Sequence, residues 1–168
     1  MENFKRSFLD FMKTFGMSLF CVLIIYTFIC RPIRVDGSSM YPTLHDGDLG
    51  FGGVITKLSG YDRFDIVILQ NDKTKNLIVK RIIGLPNEVV YYRDNELYVN
   101  DKLVDEPFLN DSVITEDFEI VLGDDEYLCL GDNREVSRDS RYYGAFNKDD
   151  INAKGVFVLM PFSDFGIK

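Results

Sequence analysis

The sequence predicts a mainly β protein, an antiparallel β-sandwich or open barrel, with one N-terminal transmembrane helix. Three observations lead to this fold class. First, residues 14–30 form an apolar segment of 17 residues without a charge. Second, many short runs rich in Val, Ile, Tyr and Phe follow it, separated by Gly, Asp, Asn or Pro. Third, these runs are not separated by the long apolar periodicity that crossover helices would require.

The apolar segment predicts an uncleaved membrane anchor. At about 1.5 Å per residue it spans roughly 25 Å, the short end of a transmembrane helix. It ends at 28–31 without the small residues of a leader cleavage site, and Pro32 is expected to end the helix. The predicted division is therefore a cytoplasmic N-terminus and anchor, 1–32, followed by a β-rich domain, 33–168. Basic residues before the segment favour a cytoplasmic N-terminus.

The predicted strands follow one another along the rest of the chain. Asn100 and Asp101 separate two of them and predict a tight hairpin. The runs that we expect to form strands are 33–36, 49–55, 65–70, 77–83, 88–93, 96–100, 102–104, 118–122, 127–130 and 155–160.

Composition excludes several classes of protein. The net charge is −8, and because residues 1–34 carry five basic and two acidic side chains, the remainder carries −11. We expect such an acidic domain to be a poor binder of nucleic acid and expect no nucleic-acid partner. The three cysteines form no CxxC or Cys/His spacing, so we expect no zinc site, no disulfide framework, no metal and no cofactor. His45 is expected to be a loop histidine.

Two segments offer a nucleophile and a base. Ser39 lies in the loop 37–44, whose small residues permit close backbone approach. A serine needs a base to remove its proton. His45 is the only histidine, so it is the single candidate for the base of a Ser-His-Asp triad. Lys80 lies in an apolar run, where alternation places it on one strand face with Ile78 and Ile82. Burial on that face lowers a lysine pKa, which makes Lys80 a candidate base.

A third segment, 131–142, is dense in hydrogen-bonding side chains directly after a predicted strand. Such a network is suited to hold a serine hydroxyl against a lysine amine. Taken singly, each segment also has a plainer interpretation: a Gly-Ser turn, an edge-strand lysine that reaches water, and a solvated loop. Together with the apolar anchor they suggest a protease that works at a membrane surface.

The three segments resemble the sequence boxes of bacterial type I signal peptidases, in the same order and most closely those of the Gram-positive-like branch. Ser-Met-x-Pro-Thr stands at 39–43, Lys-Arg at 80–81 and Gly-Asp-Asn-Arg-x-x-Ser-x-Asp-Ser-Arg at 131–141, with Gly-Asp at 47–48 and Phe-Asp-Ile-Val at 64–67 between them. This resemblance implies the roles of several residues. They are Ser39 as nucleophile, Lys80 as general base, Ser137 as the serine that orients the lysine, and Asp139 and Arg141 as a supporting ion pair.

The resemblance also implies the oxyanion donors and the substrate. Gly37 stands where some members place a serine hydroxyl, so a backbone or water-borne donor must substitute. The substrates are secretory preproteins, cut after small residues at the first and third positions before the bond, as in A-x-A sites. The residues expected to line the small apolar pockets are Val35, Met40, Leu44, Ile78 and Val79.

The implied location is the bacterial cell membrane, crossed once, with the catalytic domain on the extracytoplasmic face. Membrane lipid and the nearby protein translocation machinery are the expected neighbours. Two alternatives stay open. One is a non-catalytic anchored β domain that binds secretory chains; the other is a Ser–Lys autoprotease of the repressor-cleaving type, which would carry a DNA-binding domain where this chain has its anchor.

Overall fold

A computed structural model of the chain describes residues 2–24, 26, 30–54, 60–70, 76–110 and 112–168. These residues form two α-helices and twelve β-strands. The elements are α1 Glu2–Ile24, β1 Cys30–Arg34, β2 Leu49–Gly53, β3 Ile66–Gln70, β4 Leu77–Gly84, β5 Val89–Arg93, β6 Glu96–Val99, β7 Lys102–Val104, β8 Phe118–Val121, β9 Glu126–Leu130, α2 Ser140–Tyr143, β10 Phe146–Asn147, β11 Ile151–Met160 and β12 Gly166–Ile167.

The strands form two sheets, and every strand pair is antiparallel. The larger sheet has the order β1-β2-β11-β3-β4-β9-β10, and β12 pairs with β11. The smaller sheet has the order β7-β6-β5-β8. The predicted mainly β, antiparallel fold with an N-terminal apolar helix is confirmed.

Helix α1 begins earlier than the predicted anchor segment, and its described part reaches Ile24. Phe8, Phe11, Met12 and Phe15 recur at helical spacing and extend the helix toward the N-terminus. Its side chains from residue 6 onward are exposed. The stretch Arg6–Ile24 is 19 residues long with a mean hydropathy of 1.5, which is long and apolar enough to cross a membrane.

Pro32 does not end the helix, contrary to the prediction, because it lies within strand β1. β1 is an edge strand of the large sheet, with Pro32 opposite Phe51. An edge strand tolerates proline because one side of it needs no N–H donor. The large sheet therefore includes Cys30, three residues before the predicted domain boundary at 33.

The hairpin at Asn100 and Asp101 is confirmed. Strands β6 and β7 pair with Val99 opposite Lys102. The two turn residues have φ values of 49° and 63°, as a tight two-residue turn of this kind requires. The other predicted strands agree to within a few residues. The end of the run 49–55 at Ile55 lies outside the described residues, and the short elements α2, β10 and β12 were not predicted.

Apolar clusters cover both faces of the large sheet around β3 and β4. Ile66 and Ile68 point to one face and join a cluster that includes Met40. Val67 and Leu69 point to the other face, in a cluster with Ile78, Ile82, Cys129 and Ile151. β4 is therefore packed on both sides, which fixes the backbone that carries Lys80 and Arg81.

Candidate active site

Ser39 and Lys80 are hydrogen-bonded to each other. Ser39 lies in the turn between β1 and β2, and Lys80 lies near the middle of β4. Lys80 Nζ is 2.7 Å from Ser39 Oγ, although the two residues are 41 positions apart in the chain. Lys80 is buried, with only 3% of the residue exposed. The fold thus brings the candidate nucleophile and base into direct contact.

Burial lowers the pKa of Lys80 to about 8, while the carboxylates of Asp139 and Asp132 act to raise it. A lysine with a pKa of about 8 needs about 1.4 kcal/mol to be neutral at pH 7, against roughly 4.6 kcal/mol for a free lysine. The direction expected from the apolar face of β4 is confirmed. Lys80 can therefore accept a proton near neutral pH.

Asp139 and Arg141 form a bidentate ion pair in which Asp139 is buried and Arg141 is partly buried. The Arg141 Nε and Nη2 atoms lie 2.9 Å from the two carboxylate oxygens of Asp139. Gly131 N–H also donates to Asp139, at 3.0 Å. Burial would raise the pKa of Asp139, but the hydrogen bonds from Arg141 and Gly131 outweigh it and lower that pKa. The pair fixes the loop 131–142 in its shape.

This loop packs directly on the backbone of Ser39, the candidate nucleophile. Asn133 N–H donates to the Ser39 carbonyl at 3.0 Å, and the Asn133 side chain donates to the Ser38 carbonyl at 3.1 Å. A Cβ atom on Gly131 would collide with both Ser137 Oγ and the Ser39 carbonyl oxygen, so this position requires glycine. Ser137 Oγ is buried, and its interaction with the Asp139 carboxylate helps to lower the pKa of that group.

A second ion pair, which sequence reasoning missed, joins Arg81 and Asp132 and is buried on both sides. Arg81 Nε and Nη2 lie 2.9 Å and 2.6 Å from the Asp132 carboxylate oxygens, and Thr43 Oγ1 also donates to that carboxylate. Arg81 Nη1 donates to the Phe64 carbonyl at 2.9 Å. The pair connects β4, the loop 131–142 and the loop 37–44 that carries Ser39, called the nucleophile loop below. The signal in the sequence was a second charge, next to Lys80, in the same apolar run.

Four of the five predicted pocket residues line one small cleft with Ser39 and Lys80. The cleft has a volume of about 100 Å³, and the four are Val35, Met40, Ile78 and Val79, joined by Arg34, Asp36 and Leu77. Leu44 is not on its wall. It is fully buried, in the apolar cluster that also holds Val35 and Met40, because its position in the turn directs it into the core.

Gly37 has a φ of 91°, a conformation that side chains other than glycine rarely adopt. Its N–H donates to Asp46 Oδ1 at 2.7 Å. His45 lies in the same loop, as expected, but its Nδ1 atom faces Asp164 Oδ2 at 3.5 Å. The side chain that contacts Ser39 Oγ is Lys80. The described residues therefore do not form a Ser-His-Asp triad at Ser39.

The fold and the Ser39–Lys80 pair together define a class, that of serine peptidases that use lysine as the base. A protein-family model described as "Signal peptidase, peptidase S26" matches residues 8–160. The chain belongs to this family, and it is a serine endopeptidase.

Relatives in two Gram-positive genera agree with this assignment. Signal peptidase I S of Bacillus subtilis (strain 168) is 39% identical over 173 aligned positions, which cover 95% of this chain and 93% of the relative. Signal peptidase IB of Staphylococcus aureus (strain Mu50) is 35% identical over 180 positions, which cover 96% and 94%. The resemblance seen in the sequence, including its Gram-positive-like character, is confirmed.

The solved structures include a similar protein. A crystal structure of a signal peptidase I from Enterococcus faecalis V583 matches with a TM-score of 0.52 and 31% identity. The match covers 56% of this chain and 95% of the other. Together with the apolar helix α1, these relatives make the chain a membrane-anchored protein.

Proposed function

We propose that this chain removes signal peptides from secretory preproteins, with Ser39 as nucleophile and Lys80 as general base, and that it cuts after small residues. One observation carries the assignment of roles: the 2.7 Å hydrogen bond between Lys80 Nζ and Ser39 Oγ at a buried lysine. The named relatives are signal peptidases, which supports the substrate class.

The reaction follows from this pair. Neutral Lys80 takes the proton of Ser39 Oγ as the oxygen attacks the carbonyl carbon of the scissile bond. The tetrahedral intermediate collapses, the C–N bond breaks, and the Lys80 ammonium gives its proton to the leaving amine. Lys80 then takes a proton from a water molecule that attacks the acyl-enzyme ester. The signal peptide leaves as a carboxylic acid, and Ser39 Oγ recovers its proton from Lys80.

The oxyanion of the intermediate needs preorganised donors. We assign the first to the backbone N–H of Ser39. The Gly37 N–H already donates to Asp46, which supports a second donor other than that group, either another backbone N–H or a water molecule.

The remaining residues are assigned to positioning. We assign to Ser137 the task of orienting the Lys80 amine, which is supported by its buried hydroxyl, close to Asp139 and to the Ser39 carbonyl. Asp139 and Arg141 hold the loop that presents Ser137. A lysine amine can rotate, so a fixed acceptor beside it favours the lone pair that faces Ser39.

The cleft next to the pair supports specificity for small side chains. Its apolar walls, from Val35, Met40, Ile78 and Val79, enclose about 100 Å³, and Leu44 belongs to the apolar cluster that holds Val35 and Met40. Such a pocket accepts the methyl group of Ala and excludes a phenyl ring by steric overlap. Replacing the residue before the cut by Phe should therefore stop processing, whereas Ala, Gly or Ser should pass.

The proposed location is the cell membrane, crossed once by α1, with the N-terminus cytoplasmic and the catalytic domain outside. Basic residues at the start of α1 support this orientation. Membrane lipid and the translocation machinery that delivers preproteins are the proposed neighbours.

The test is to incubate the purified, detergent-solubilised chain with a preprotein and to sequence the new N-terminus of the product. We expect one cut, after a small residue, that is absent with Ser39→Ala. Binding of the preprotein without any cut would favour the non-catalytic anchored domain. A cut only within the enzyme's own chain would favour the autoprotease.

A further inference from the structure

Away from the Ser39–Lys80 pair, three side chains converge where the nucleophile loop meets the C-terminal segment. His45 lies at the end of that loop, Asp48 directly precedes β2, and Asp164 closes the single-turn 3₁₀ helix Phe162–Asp164. One ligand atom from each of the three residues lies within 4.8 Å of the other two. Asp48 and Asp164 lie far apart in the sequence, which is why the spacing of residues along the chain did not reveal the cluster.

A second observation indicates that this cluster is built for a ligand. Asp48 is only 1% exposed, and its Oδ1 atom is buried without a hydrogen-bond partner among the described residues. Its Oδ2 atom accepts the His45 backbone N–H at 2.9 Å, so the carboxylate is held in place by one oxygen and left unsatisfied at the other. Folded proteins rarely leave a buried carboxylate oxygen in this state, because its desolvation is costly.

The imidazole of His45 shows the same pattern. Its Nδ1 atom is buried and has no hydrogen bond within the described part of the chain, although it faces Asp164 Oδ2 at 3.5 Å. The ring is held edge-on against the Tyr41 ring, with centroids 5.3 Å apart. A cation among the three groups would satisfy the imidazole nitrogen and the Asp48 oxygen at once.

We propose that His45, Asp48 and Asp164 bind one divalent transition-metal ion of the zinc class, through Nδ1 of the histidine and one oxygen of each carboxylate. One imidazole nitrogen with two carboxylate oxygens is a donor set that suits Zn²⁺. Ca²⁺ and Mg²⁺ prefer sites made of oxygen alone. Two carboxylates and a neutral imidazole also leave a net charge of −2 for the ion to neutralise.

The ion has a structural role, separate from the peptidase chemistry. Asp48 is tied to the start of the nucleophile loop, because Val35 N–H donates to the Asp48 carbonyl at 2.8 Å. His45 lies in the turn that follows Ser39, and Asp164 belongs to the C-terminal segment. The metal therefore fastens the C-terminal segment to the loop that carries the nucleophile.

The experiment is a titration of the full-length chain with Zn²⁺ alone, followed by calorimetry. The protein is purified in detergent and stripped of metal with a chelator. No polyhistidine tag is used, because the tag would bind Zn²⁺ and mask the contribution of His45, the only histidine of the chain. We expect one ion per chain and a melting temperature that rises with Zn²⁺, since the ion binds the folded state. His45→Ala and Asp164→Asn should each weaken binding by more than about tenfold, the loss typical even of residues that only support a ligand.

Asp124→Asn is the matched control, because it removes one carboxylate at an exposed position outside the cluster. It should leave Zn²⁺ binding unchanged. His45 and Asp164 are both partly exposed, so their variants are expected to fold, which a melting curve without metal verifies. The proposal is overturned by the lack of saturable Zn²⁺ binding, by wild-type affinity in His45→Ala, or by Ca²⁺ binding more tightly than Zn²⁺. None of these outcomes depends on peptidase activity.

Discussion

At Lys80, desolvation and charge act against each other. Burial disfavours the ammonium form, whereas the carboxylates of Asp139 and Asp132 favour it. Asp139 is already paired with Arg141, and Asp132 with Arg81, so each carboxylate is largely compensated by its own arginine. This pairing explains why burial prevails and why the pKa of Lys80 falls to about 8.

The first prediction at this scale concerns pH. The base must be neutral, so kcat/KM on a soluble peptide substrate should fall as pH drops through about 8 and reach a plateau above it. A lysine without this burial would place the same limb near about 10.4. In a Lys80→His variant with residual activity, the limb should move toward about 6.5. An acidic limb that stays in place in this variant would show that another group titrates.

The second prediction concerns the two residues of the pair. Ser39→Ala and Lys80→Ala should each lower kcat on the order of 10⁴-fold or more, and the double variant should lose little beyond either single one. The reason is that neither group works alone. Ser38→Ala is the matched control and should remain active, since Lys80 contacts Ser39. If Ser38→Ala were inactive and Ser39→Ala active, the nucleophile would be Ser38 and the assignment to Ser39 would be wrong.

Sequence reasoning selected Ser39 and Lys80 as candidates because each stands out locally, one in a turn of small residues and one in an apolar run, and the structure places them in contact. It did not find the partner of Arg81, because Asp132 lies 51 positions away and many carboxylates compete for that role. It also placed Leu44 on the cleft wall, since the turn that points this side chain inward cannot be derived from its apolar character.

At the scale of elements, β4 serves two functions through the alternation of its faces. Lys80 points to one face and contacts Ser39, and Arg81 points to the other face, where it meets Asp132 and Thr43. The Phe108 ring lies 4.1 Å from the Arg81 guanidinium and covers it. Through Arg81, strand β4 therefore holds the loop 37–44 and the loop 131–142 together.

The third prediction tests this connection. Asp132→Asn leaves Arg81 buried without its charge partner and should lower the free energy of unfolding by about 3–5 kcal/mol. Asp62→Asn is the control, because Asp62 is 85% exposed and its pairing with Lys154 is worth about 1 kcal/mol or less. Denaturant titration of both variants in detergent measures the difference. Equal stability of the two variants would contradict a structural role for the Arg81–Asp132 pair.

The elements themselves were predictable to unequal degrees. The strands of the hairpin β6–β7 follow from Asn100 and Asp101, which accept positive φ values at low cost. The two-residue strands β10 and β12 have no such local signal, because they exist only through pairing with β9 and β11. Pro32 gave the wrong signal, since a proline at a sheet edge and a proline at a helix end look alike in a sequence.

At the scale of the whole molecule, the chain divides by charge and by hydropathy. The N-terminal residues 1–34 are basic overall and contain the apolar helix, whereas the remainder carries −11. Nothing in the Ser39–Lys80 contact involves α1, whose side chains from residue 6 onward are exposed. Anchoring and chemistry are therefore separable, and each should respond to its own change.

The last prediction removes residues 1–29, a cut that keeps β1 intact from Cys30. The truncated form should keep the wild-type pH profile and kcat/KM on a soluble peptide. On a preprotein embedded in vesicles it should be slower by about 100-fold or more, because enzyme and substrate no longer share one bilayer and their effective concentration falls.

An unrelated transmembrane helix in place of residues 2–24 is the control. It should restore the rate on embedded preproteins, since α1 supplies proximity and no catalytic group. If the truncated enzyme processed embedded preproteins as fast as the full chain, the anchor would contribute nothing to the encounter. If the foreign helix failed to restore the rate, α1 would contact the signal peptide itself within the membrane, and its sequence, beyond its length and hydropathy, would determine which preproteins are cut.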